Sequence, residues 1–114
     1  MIRKKTEMRH LTVENSGNIK GSIVKEFLLN PEETGNRLKM CADIELAPGS
    51  MIAEHSHTDD AEIYYLLDGE AVVTDNERTE VLHAGDVVFT ADGNFHSIRN
   101  NTEKPIHFLA VILP

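Results

Sequence analysis

The sequence predicts an all-β domain closed into a barrel or sandwich. Three observations carry that expectation. Eight or nine short runs are rich in Val, Ile, Leu, Phe and Thr, turn residues separate them at close spacing, and no long stretch has a 3.6-residue period.

Residues 21–28 carry Ile23, Val24, Phe27 and Leu28 and end at Asn30-Pro31. Residues 30–36 form a polar loop, and 32–38 could hold one helical turn. From 38 to 46, Leu38, Met40, Ala42, Ile44 and Leu46 alternate with Lys39, Cys41, Asp43 and Glu45. A period of two marks a strand with one buried face. Pro48-Gly49 makes a turn. Runs over 51–57 and 62–67 follow, the second ending at Asp68-Gly69. Residues 71–74 and 78–82 flank Asp75-Asn76 and read as a hairpin. After the Ala84-Gly85-Asp86 turn, runs over 87–90, 95–100 and 106–113 complete the set.

The 114 residues are expected to form a single domain, 1–114, with one core. Lys and Arg number 11 against 19 Asp and Glu, for a net charge of −8. Such a surface repels phosphate backbones and anionic lipid headgroups, so neither nucleic acid nor a membrane is the expected partner. Arg3, Lys4, Lys5 and Arg9 make a basic start, but no apolar signal segment follows it. No run approaches the roughly 18 apolar residues of a membrane helix. A cytoplasmic location is expected. Cys41 is the single cysteine, which excludes an internal disulfide and a thiolate-rich zinc site. It reads as a small apolar strand residue.

His55 and His57 stand two apart in one strand-like run. On a strand both imidazoles project to the same face. On a helix they would diverge by about 200° and could not easily share an ion. Met51 and Ala53 have the same parity and are expected to line that face. Glu62 follows the polar Thr58-Asp59-Asp60 corner, so a returning strand could set its carboxylate opposite the two rings. Tyr64 and Leu66 share its parity. His96 comes 39 residues after His57, and spacing alone does not make it a partner. His10, His83 and His107 read as surface or strand histidines, and Glu54, Asp59, Asp60 and Glu80 as solvated charges.

In the order of these residues the chain resembles the cupin family. The family's first motif, G-x5-H-x-H-x3,4-E-x6-G, is matched by Gly49, His55, His57, Glu62 and Gly69. The second, G-x5-P-x-G-x2-H-x3-N, is matched by Gly85, Gly93, His96 and Asn100, with Ala91 where the family usually has proline. The resemblance implies a cupin barrel, a double-stranded β-helix or jelly roll. It also implies one divalent ion per chain on His55, His57, Glu62 and His96. Ala91 leaves the loop before His96 looser but removes no ligand. Asn100 is expected to tie down its own strand or turn.

Three imidazoles and one carboxylate suit Mn, Fe, Ni, Co or Zn better than Ca or Mg. Four protein donors leave up to two open positions on an octahedral ion. The resemblance implies dioxygenase, decarboxylase, oxidase or isomerase chemistry on a small oxygenated molecule. The alternative is a non-catalytic module that binds a small ligand or the metal itself. The same side chains could also line a metal-free barrel and hydrogen-bond one another. Met51, Tyr64 and Phe95 are the expected pocket residues, and Tyr64 the candidate catalytic one. A homodimer is expected, with the N-terminal segment crossing to the partner.

Overall fold

Ala42, Ile44 and Leu46 point into the core from one face of the strand Met40–Leu46, as their period of two requires. The computed structural model describes residues 1–114. In chain order its strands are β1 (Arg9–Glu14), β2 (Ile19–Lys20), β3 (Ser22–Leu29), β4 (Met40–Leu46), β5 (Met51–His57) and β6 (Ala61–Asp68). They continue as β7 (Glu70–Asp75), β8 (Arg78–His83), β9 (Val87–Thr90), β10 (Asn94–Arg99) and β11 (Ile106–Leu113). A short 3₁₀ turn, Pro31–Thr34, lies in the loop after β3, close to where a helical turn was expected.

Two antiparallel sheets pack face to face, in the orders β1-β3-β4-β11-β6-β9 and β2-β5-β10-β7-β8. Between them lies one core, in which Ile23, Ile44, Leu46, Leu66, Ile98 and Phe108 are nearly fully buried. The jelly-roll barrel expected from the sequence is the architecture found.

The N-terminal strands β1 and β2 do not stand out in the sequence. β1 is an edge strand with five of its six residues exposed, so it carries no alternation. β2 is two residues long. β1 pairs with β3 of its own chain from Arg9↔Phe27 to Glu14↔Ser22, and in the single chain it completes its own sheet.

Two details position the site. Gly69, at φ 95°, turns the chain between β6 and β7, and a Cβ there would lie 2.5 Å from Cγ2 of Ile106. Only glycine fits that corner. The second detail is a bulge between β5 and β10. His55 is opposite His96 and Ile52 is opposite Ile98, so β5 spends three steps where β10 spends two.

Candidate metal centre

His55 and His57 come from β5, His96 from the adjacent β10, and Glu62 from β6 in the facing sheet. Each arrives by strand alternation, and all four point into the space between the sheets. His96 and Glu62 are 0% and 3% exposed. The four offer one donor atom each, all within 4.8 Å of one another, a group that could hold one metal ion.

The donor spacing is specific. Oε1 of Glu62 lies 3.0 Å from Nε2 of His57, 3.0 Å from Nε2 of His96 and 3.4 Å from Nε2 of His55. The His55 and His96 Nε2 atoms are 2.9 Å apart. Donors bound at about 2.1 Å and at right angles on one ion stand about 3.0 Å apart. The residues present therefore fit a small transition-metal ion.

The far side of each ring strengthens the fit. Nδ1 of His55 donates to the Ala53 carbonyl at 2.8 Å, and Nδ1 of His57 donates to Asp60 Oδ1 at 2.7 Å. Nδ1 of His96 lies 2.8 Å from the hydroxyl of Thr90, which is fully buried and is the register partner of Glu62. A neutral imidazole that donates through Nδ1 keeps a bare lone pair on Nε2. His55 and His57 are held in that tautomer, so their lone pairs face one carboxylate oxygen. An added proton or a cation relieves this arrangement, and outer partners of this kind orient metal-binding histidines.

Electrostatics agree. Burial opposes ionisation of Glu62, but hydrogen bonds from His55 and His96 and the charge of the rings win, and its carboxyl falls to about 2. Burial lowers His96, and the neighbouring imidazoles push in the same direction. His55 is raised, because its hydrogen bonds to Glu62 and Ala53 outweigh burial. Tyr64 lies flat on His96, with ring centroids 4.5 Å apart and planes 11° apart. Burial first, and then the Glu62 charge, lifts its phenol well above its usual 10.

Beside the cluster is a cavity of about 180 Å³. His55, His57 and Glu62 line it together with Tyr64, Asn18 and Lys25. Its apolar walls are Ile19, Met40, Ile44, Ile52 and Ile112. Met51 and Phe95, expected as pocket residues, do not line it. The β5 bulge moves Met51 to the outer face, opposite the exposed Arg99 and Lys20, and turns Ile52 inward instead. Phe95 is the neighbour of His96 in one strand, so it must face the other way, opposite exposed Ser56. Asp60, expected to be a solvated charge, instead holds His57 and also accepts from Lys39 at 3.3 Å. Thr90 and Lys25 were not singled out either. Position between two candidate ligands was the only available signal for Asp60. Asn100 does tie down its turn, donating to the carbonyls of Leu46 and Lys104 and accepting from Thr102.

A double-sheet barrel with three histidines and one glutamate converging inside it defines a cupin architecture with a cluster that could hold a metal ion. The chain belongs to the family described as Cupin domain, matched over residues 42–112. It is 37% identical over 113 residues to an oxalate-binding protein of Thermotoga maritima, covering 99% of this chain and 93% of that protein. A crystal structure of a predicted oxalate decarboxylase from Thermotoga maritima superposes with a TM-score of 0.92 at 37% identity, covering 99% of this chain and 98% of that one. The tetracenomycin polyketide synthase protein TcmJ of Streptomyces glaucescens is 32% identical over 87 residues, covering 76% of this chain and 58% of that protein.

Proposed function

We propose that this chain holds one divalent transition-metal ion (Mn, Fe, Ni, Co or Zn) on His55, His57, Glu62 and His96, and through it binds a small chelating acid of the oxalate type. The observation that carries this reading is the convergence of three Nε2 atoms on one oxygen of Glu62, with each Nδ1 tied elsewhere. When bound, the ion supplies a positive charge and open positions for two oxygens. The chain's own residues orient the donors and shield the site with apolar walls. The name of the Thermotoga relative supports the choice of acid.

Binding is the function the geometry supports best, because no free general base lines the cavity. Tyr64, the candidate catalytic residue, stays protonated at working pH, because burial and then the Glu62 charge oppose its ionisation. Turnover is the second reading, favoured by the likeness to a predicted oxalate decarboxylase. It would convert hydrogen oxalate to formate and carbon dioxide. Calorimetry decides the first reading: oxalate binds the metallated protein better than acetate does, and the metal-free protein binds neither. Equal affinity for oxalate and acetate overturns it. Formate release from oxalate tests the second.

A cytoplasmic homodimer is part of this proposal. No helix of the chain is long and apolar enough to cross a membrane. Tyr65 and Val87 are exposed register partners on the outer face of the six-stranded sheet, and Phe89, two residues along β9, is exposed beside them. A twofold-related second copy would cover the same patch on both chains. Light scattering near twice 12.7 kDa is the expected result, and a mass near 12.7 kDa at micromolar concentration overturns it.

A further inference from the structure

Lys25 points into the barrel. It is the register partner of Ile44, which is buried at 2% exposure, and direct partners in an antiparallel pair share a face. Both residues line the cavity beside His55, His57 and Glu62. Strand β3 thus presents Ile23, Lys25 and Phe27 inward, with one cation between two apolar side chains.

That cation has no partner. Lys5 pairs with Glu26 at 2.9 Å and Lys39 with Asp60 at 3.3 Å. Lys4, Lys20, Lys25 and Lys104 make no ion pair, and of these only Lys25 is partly buried. It makes no side-chain hydrogen bond either, and it is the only Lys or Arg at the cavity. A lysine needed only for solubility would face outward, where β3 has the surface to carry it. A half-buried ammonium without a carboxylate partner marks a place where an anion is expected.

Charge balance then sets the kind of anion. A divalent ion on three neutral imidazoles and one carboxylate leaves one positive charge at the centre, and Lys25 adds a second. We infer that Lys25 selects the ligand: the site takes a small dianion, one end chelating the metal and the remaining carboxylate oxygens paired with the Lys25 ammonium. The inference rests on the metal-dependent acid binding proposed above and adds the residue that sets its charge preference. In a chain of net charge −8, this is a local reversal of sign that draws a dianion past an acidic surface.

The test compares oxalate with glycolate, which also chelates through two oxygens but carries one carboxylate. Both are titrated calorimetrically into the metallated wild type, Lys25→Met and Lys25→Arg, with metal content and melting temperature measured on each. Lys25→Met keeps the apolar stem and removes the charge. Oxalate should weaken about tenfold or more in Lys25→Met, the scale of one charge-assisted hydrogen bond. Glycolate should change much less, metal content should hold, and Lys25→Arg should recover most of the oxalate affinity. Unchanged oxalate binding in Lys25→Met overturns the inference and leaves the metal reading standing. Equal weakening of both acids also overturns it, since Lys25 would then shape the cavity without choosing charge. Binding of neither acid to the metallated wild type overturns the acid-binding reading and this inference together.

Discussion

Nδ1 of His57 donates to Oδ1 of Asp60 at 2.7 Å, three residues along a corner that also leads to Glu62. The corner thus supplies two candidate metal donors and the group that orients one of them. The His57 hydrogen bond leads the causes that hold the Asp60 carboxyl below its usual value, with burial opposing and Lys39 assisting.

Replacing Asp60 should therefore act on the metal and not on the fold. Asp60→Ala removes both the acceptor and the charge, and metal affinity should fall about 10–100-fold. Asp60→Asn keeps an acceptor oxygen and should lose less. Competition with a chromogenic chelator measures both, and unchanged affinity in Asp60→Ala would remove Asp60 from the site.

The histidines should divide sharply. His55→Ala, His57→Ala and His96→Ala each delete a donor from the cluster. His83 is exposed, and His107 sits on the outer face with Nδ1 2.8 Å from Asp43. Metal content after purification without added chelator should drop in the first three variants and stay near normal in His83→Ala and His107→Ala. Normal occupancy in His96→Ala would break the link between the second motif and the site.

Metal and protons compete for the same Nε2 atoms, and the direction follows from the shifts. The Glu62 carboxyl is lowered to about 2, so its contribution to stability is complete above about pH 4.5 and fades as the pH falls toward 2. It is still ionised at pH 5. His55 is raised above 6.5, so its protonated form stabilises the metal-free fold below that value, and this stabilisation is lost as the pH rises through its folded value. The lower the pH, the more often the metal must displace that proton. Each decade of metal concentration above Kd adds about 1.4 kcal/mol of stability. The metal-induced rise in melting temperature should be clear at pH 7.5 and much smaller at pH 5. Equal shifts at both pH values would exclude histidine donors.

The strands from β3 onward, the inward faces of β4 and β6, and the four-residue cluster were legible because each depends on alternation or on a motif read in order. What was not legible depends on register. Met51 shares the parity of His55, but one extra residue in β5 reverses its face, and nothing in 51–57 marks that bulge. Phe95 is a different case: strand alternation around His96 already places it outside. Thr90 reaches His96 because β9 pairs with β6 and its end meets β10, a relation between three strands that no local pattern encodes. Lys25 looks like any strand lysine until its pairing with Ile44 turns it inward.

Glu62→Gln separates the carboxylate's charge from its shape. Glu62 is the only anionic donor in the cluster, and its side chain is 4% exposed among three imidazoles. In the metal-free wild type its Oε1 lies 3.0–3.4 Å from the three Nε2 atoms, and it is the carboxylate charge that favours the added proton on His55. A glutamine fills the same volume and keeps one acceptor oxygen, so the core packing of Tyr64 and Phe108 beneath it should survive. The variant should fold, with a melting temperature at neutral pH below that of the metal-free wild type, because the stability that the ionised carboxylate contributes above about pH 4.5 is gone. It should also bind metal more weakly by more than about 100-fold, beyond the loss of an outer partner. The same change lowers the pH at which the remaining histidines accept a proton, since the charge that raised His55 is gone. Metal titration and a histidine NMR titration on one sample read both effects. If Glu62→Gln binds metal as wild type does, the carboxylate is not a donor, and the ion rests on the three histidines alone.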